Sequence, residues 1–197
     1  MTRHNQKSQH FHGPENAEHE IRKAYNCVVD VGALFLSERR PIPGVNIQEV
    51  MNVYKHAFNR HRHGNKLAAE RWARAAKHLS RAFWHEAKIA YLEPRSADLP
   101  FLDGATEDEY GAYERFDTTA DLIESVDDHI PPGLDTMPED MKRYLSKARK
   151  HLEVVKQTEY KHELLRAERI MAAHEYGRVL ECAALAYEAE VASKNAA

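Results

Sequence analysis

Glycine and proline are scarce in this chain, eight of each among 197 residues. That scarcity excludes a fold built from many tight turns, and ordinary proportions of apolar and charged residues exclude wholesale disorder. Cysteine is scarcer still. Cys27 and Cys182 form neither a metal-knuckle spacing nor a disulfide framework, so a reducing, cytoplasmic setting is expected. Long apolar runs are missing too: the longest, "CVVDVGALFL", is interrupted by Asp30, too short and too polar to cross a membrane. The opening "MTRHNQKSQHFHG" lacks the apolar stretch of a signal peptide. There is no P-loop, no G-x-S-x-G elbow and no G-x-G-x-x-G, so phosphate-cradling loops and serine-esterase chemistry are not expected, and no cofactor is implied.

What remains is helix-forming sequence. Residues 1–13 are expected to be a mobile polar tail and residues 14–197 a single helical domain, which at this length can bury about 70% of its unfolded surface. Between Pro14 and Glu38, apolar residues recur at Ile21, Tyr25, Val28, Val31 and Phe35, with Asp30 on the opposite, solvated stripe. "RRPIPG" stops that helix. Asn46 with Glu49 opens a second helix that Gly64 closes. A third is predicted from Asn65 to Leu92 with Ala68, Trp72, Ala75, Leu79, Ala82 and Phe83 inside.

Capping boxes at Thr106–Glu109 and Thr136–Glu139 open two more helices. Pro138 falls in the first turn, where it is tolerated, and from there to about Ala192 there is no further proline and the only glycine is Gly177. One helix of that length would run about 80 Å, so a kink or break is expected near "KQTEYKHE". The fold class is therefore all-α, a bundle of five or six helices with a long C-terminal helix that is kinked or broken. The alanine-rich "RIMAAHEYGRVLECAALAYEAE" is apolar on more than one face, which suits a central helix or a homo-oligomer interface.

The net charge of −3 conceals two opposed blocks. Residues 55–88 carry 9 basic and 2 acidic groups, whereas residues 89–140 carry 2 basic and 15 acidic ones. On an ideal helix Arg74, His78, Arg81, His85 and Lys88 fall within about 80° of one another. Arg71 flanks this stripe, and Arg60, Arg62 and Lys66 extend it at the preceding turn. Such a face could track the phosphates of a nucleic acid or the carboxylates of an acidic protein, more strongly as the histidines protonate near their ordinary value of about 6.5. The competing expectation is that the basic face is merely solvated, or covered by the protein's own acidic block.

The 13 histidines invite a metal, but no two stand four apart, as a helical zinc site needs. His10 with His12 and His61 with His63 lack further ligands, and Glu159–His162 is one Glu-x-x-His where a di-iron bundle needs two. No metal site is expected. One enzymatic alternative remains. Arg169 and His174, in "RIMAAH", have a spacing that resembles the arginine–histidine motif of HEPN-type metal-independent ribonucleases, which are small helical bundles. Arg71–His78 and Arg3–His10 also have it, and about three matches arise by chance at this composition. The polar residue that usually follows the arginine is replaced here by Ile170 and Trp72. The leading expectation is thus a noncatalytic binding or adaptor protein that meets an anionic partner through its basic helix; a purely structural oligomer is the third.

Overall fold

The computed structural model describes residues 15–37, 41–95, 112–127, 131, 134–157 and 163–196. The polar tail, the Thr106–Glu109 capping box and most of "IPPG" and "KQTEYKHE" lie outside them. The described residues form six α-helices and one 3₁₀ turn, with no strand among them: α1 (Glu15–Ser37), α2 (Ile47–Arg62), α3 (Lys66–Leu92), the turn Glu93–Arg95, α4 (Ala112–Asp127), α5 (Glu139–Gln157) and α6 (Glu163–Asn195). None is long and apolar enough to cross a membrane. The all-α bundle and its long C-terminal helix stand as the periodicity predicts.

The helix ends follow local chemistry. Asn46 Oδ1 accepts the Gln48 amide at 3.0 Å and Asn65 Oδ1 the Ala68 amide at 3.1 Å, each occupying an orphan donor of a first turn. Between them Gly64 takes φ +80°, the left-handed conformation in which a side chain would be strained. Thr136 does not cap α5. That helix starts at Glu139, with the Pro138 carbonyl accepting the Lys142 amide at 2.9 Å, and Thr136 sits in a bend before it.

Helices α3 and α6 form the spine. They run antiparallel, with His78 against Glu175 and His85 against Glu168. Helices α1 and α2 pack on α3, and α5 and α4 pack on α6. Because α5 and α6 lie side by side, Tyr144 facing Tyr176 and His151 facing Arg169, the long C-terminal stretch is broken into two helices rather than extended. Helix α4 approaches α6 closely at Gly177, where a Cβ would fall 2.9 Å from a Leu122 methyl. The small residue is what permits that distance.

The core is rich in alanine, with Tyr176, Phe83, Leu79, Met141, Ile170 and Leu180 among its large fully buried side chains. Around α3 the buried positions include Ala68, Ala69, Glu70, Ala73, Ala75, Ala76, Ala82, Phe83, Ile89 and Leu92, which spread over most of the helix circumference. Small side chains let several neighbours approach one helix at once. The polar side assigned to α3 by periodicity is correspondingly narrow.

Candidate functional site

The basic stripe does not lie on a wet face opposite the core, because α1 and α6 pack over much of it. Arg74 reaches Glu70 at 2.7 Å and Glu20 at 4.0 Å. His78 Nδ1 lies 2.6 Å from Glu175, and His85 Nδ1 2.6 Å from Glu168. Arg81 and Lys88 touch the same two carboxylates at 3.9 and 2.8 Å. At the other end of the helix Arg60 makes a two-pronged pair with Glu190 at 2.7 and 2.6 Å, and the Trp72 indole donates to that carboxylate at 2.8 Å. Arg71 is half-buried, whereas Arg62 and Lys66 are exposed. Among the described residues, the carboxylates that meet the stripe come from α1, α3 and α6, while α4, from the acidic block, packs on α6 and α5.

The arrangement has a simple register. Glu168 and Glu175 are seven residues apart, as are His78 and His85, so both pairs repeat after two turns and about 10.5 Å on facing antiparallel helices. Glu175 is only 7% exposed at its side chain and Glu168 only 9%. Burial alone would raise both carboxyls, but the hydrogen bonds and charges of His78 with Arg81, and of His85 with Lys88, outweigh it and hold them below the usual carboxylate range. Lys77, Lys23 and Arg74 likewise lower Glu20 against its own burial.

These groups bind protons less readily folded than unfolded. The stability they contribute is therefore present above the unfolded value, about 4.3 for glutamate, and lost as pH falls through the lower folded values. The midpoint of denaturant unfolding is expected to drop below about pH 4.3, and to drop less steeply in Glu175→Gln, which has no charge to lose there. Identical profiles for the two proteins would remove Glu175 from the acid response.

A second polar cluster ties α3, α5 and α6 together. Glu86 Oε1 accepts the Tyr176 hydroxyl at 3.0 Å and lies 3.1 Å from His151 Nε2. Lys147 Nζ donates to the Tyr176 oxygen at 3.2 Å and to the Gly44 carbonyl. Arg169 pairs with Glu93 and approaches His151 Nδ1 at 3.3 Å. With Arg169 donating to Nδ1, the imidazole proton belongs on Nε2, aimed at Glu86. Burial drives the Tyr176 phenol far above its ordinary value and lowers Lys147. Tyr176 is fully buried and most donors and acceptors of the cluster point at one another, with the buried Arg169 Nε left without a partner, so the cluster reads as a polar core.

Arg169 and His174 are not brought together. Five residues apart, they leave α6 about 140° from each other. Arg169 turns to Glu93 and His151, and His174 lies 3.2 Å from the Thr119 hydroxyl on α4. Burial lowers the His174 pKa. Cys182 is buried and its thiol is pushed up to about 11 by that burial, which disfavours the thiolate. No three His, Cys, Asp or Glu side chains converge as a metal site would require among the described residues.

The outer edge of α3 carries a feature that charge counting missed. Arg81, Trp84, Lys88 and Tyr91 of α3 and Arg95 of the 3₁₀ turn that follows it are all exposed and succeed one another at intervals of three and four residues, a stripe about 20 Å long. The Arg95 guanidinium sits 3.9 Å above the Tyr91 ring. Beside the stripe lies a depression of about 630 Å³ lined by Cys27, Val31, Leu34 and Trp84 with Asp30, Ser80 and Arg81. A second, of about 360 Å³, shares Leu34 and Trp84 and continues to Tyr91, Leu92 and Leu164. The signal was present in the alternation of cation and aromatic at 81, 84, 88, 91 and 95, but the basic count alone merged Arg81 and Lys88 with their inward-facing neighbours. Comparison of the chain with known protein families, curated proteins and solved structures gives no match.

Proposed function

We propose that this is a noncatalytic helical binding protein that contacts an anionic partner through the outer edge of α3. One observation carries the reading: the exposed alternation of Arg81, Trp84, Lys88, Tyr91 and Arg95. Arginine with exposed tryptophan and tyrosine is the composition that dominates interface energetics, whereas scattered surface cations carry little. The carboxylates behind the edge favour this use. Glu168 and Glu175 are buried and engaged by His85 and His78, and Lys88 and Arg81, which touch the same carboxylates, keep about half of their side-chain surface exposed. Arg74, His78 and His85 then act as internal ties, and Arg81 and Lys88 as the contact residues.

Trp72 is buried and Trp84 is 42% exposed, so a fluorescence change on binding reports mainly on the proposed surface. Titration with polyglutamate and with a single-stranded oligonucleotide is expected to shift Trp84 emission for at least one of them, with affinity falling as salt rises. Arg81→Glu with Lys88→Glu is expected to weaken that binding at least about a hundredfold, or about 2.7 kcal/mol. Arg62→Glu with Lys66→Glu, on exposed positions away from the edge, should change it several-fold at most. Equal binding by the wild type and the Arg81/Lys88 variant would overturn the proposal, as would binding of neither polyanion.

A further inference from the structure

We infer that the partner of this edge is an acidic amphipathic helix of another protein, seated along the groove that α3 forms with α1 and, farther along, with α6. The inference rests on the anionic-partner reading above and names the partner's chemistry. The two depressions share Leu34 and Trp84, so they form one trough from Ser80 to Leu92, about 18 Å or three helical turns. Its apolar lining comes from Val31 and Leu34 of α1, Trp84, Tyr91 and Leu92 of α3 and Leu164 of α6, with Asp30, Arg81, Lys88 and Glu168 as its charged groups. A trough of that length and lining takes the i, i+3, i+4, i+7 side chains of a helix.

The charges specify the rest. Arg81, Lys88 and Arg95 recur every seven residues along one wall, and Trp84 and Tyr91 repeat with the same period. A partner helix with a carboxylate every seven residues would meet a cation at each repeat, its apolar seam falling on the aromatics between them. Helix α6 shows the same spacing, its Glu168 and Glu175 meeting His85 and His78 and, at the edge of the trough, Lys88 and Arg81. Asp30, exposed on the α1 wall, disfavours acid on that flank and so fixes which side of the incoming helix carries the carboxylates.

A nucleic acid fits less well. Phosphate binding gains from releasing counterions, yet Lys88 and Arg81 lie 2.8 and 3.9 Å from Glu168 and Glu175 and so hold part of their compensation already. Their outer sides can accept discrete carboxylates from a helix that buries apolar surface at the same time.

The test uses the whole protein with a synthetic peptide of about 16 residues carrying a glutamate every seven positions and a leucine seam beside them. Its controls are a peptide of the same composition in scrambled order and a single-stranded oligonucleotide. The expected result is a blue shift of Trp84 emission and a gain of helical circular dichroism on mixing. The scrambled peptide should bind at least about tenfold more weakly, and Trp84→Ala should cost the ordered peptide at least about tenfold. Far-UV circular dichroism of free Trp84→Ala checks its fold, and Tyr91→Ala serves as a second variant on the same wall.

Equal binding of ordered and scrambled peptides would overturn the seated helix. Binding of the oligonucleotide alone, lost in Arg81→Glu with Lys88→Glu, would leave the anionic-partner reading standing and overturn this one. Binding of neither peptide nor oligonucleotide would remove both. Self-association that Trp84→Ala abolishes, with no peptide binding, would assign the groove to a second copy and also overturn it.

Discussion

Replacing His78 by leucine is expected to cost about 3–5 kcal/mol of folding stability, because Glu175 is left as a buried carboxylate without its closest partner. The Nδ1 to carboxylate distance is 2.6 Å and the Glu175 side chain is 7% exposed, so water cannot readily replace the imidazole. Arg81 lies 3.9 Å away with its side chain 53% exposed, too distant and too solvated to compensate. The reverse change, Glu175→Leu, is expected to cost less, about 1–3 kcal/mol, since an unpaired imidazole can remain neutral. The double variant His78→Leu with Glu175→Leu should recover most of the loss, because a packed apolar pair of similar volume replaces a buried hydrogen-bonded pair at little net cost.

Denaturant unfolding of the four proteins measures the cycle. A solvated basic stripe predicts something different: each change within about 0.5 kcal/mol, and additive. Single-variant losses that simply add in the double variant would therefore remove the His78–Glu175 tie. The binding assay separates structure from contact in the same proteins. The leucine pair leaves Arg81, Trp84 and Lys88 in place, so polyanion affinity should persist even where folding stability has changed.

Phe83→Ala is the second large effect expected, a loss of about 3–5 kcal/mol with a fall in Tm of roughly 10 °C. Phe83 is fully buried in the main core, with Lys147 Nζ 5.2 Å from its ring centre. Truncation leaves a cavity in the main core beside α5, whose packing with α3 and α6 also holds Glu86 against Tyr176 and His151. Trp84, its neighbour in sequence, gives the contrast. It is 42% exposed, and its alanine variant should lose less than about 1.5 kcal/mol while losing the proposed binding. Thermal unfolding of the two alanine variants side by side checks both; a Trp84→Ala loss as large as that of Phe83→Ala would make Trp84 a core residue rather than a contact residue.

Much of the architecture was legible before any coordinates. Apolar spacing placed α1, α2 and α3 to within a residue or two, since a helix that must bury one side repeats its apolar positions every three and four residues. Asn46, Asn65 and Gly64 marked helix ends because their chemistry is local: a side-chain acceptor for a bare amide, or a backbone free to turn left-handed. The length argument also foresaw the break that separates α5 from α6. Thr136 was a local signal that failed; a cap depends on where the backbone enters the helix, and α5 begins beyond Pro138.

The sequence alone determined that the chain is helical, that residues 55–88 are basic, and that Phe83 faces inward while Asp30 faces water. Those properties follow from periodicity and composition, which act within one helix. Tertiary structure decided what the basic residues face. Glu20, Glu168, Glu175 and Glu190 come from α1 and α6, between 57 and 130 positions away from their partners in the chain, and no local pattern says which helix will lie against α3. Only the seven-residue repeat shared by Glu168–Glu175 and His78–His85 hinted at the pairing, and it acquires meaning once the two helices are known to run antiparallel. Packing divides one charged stripe into an inner layer that ties the bundle together and an outer edge that stays open, because a buried charge must find its counter-charge inside the protein while an exposed one remains available to a partner.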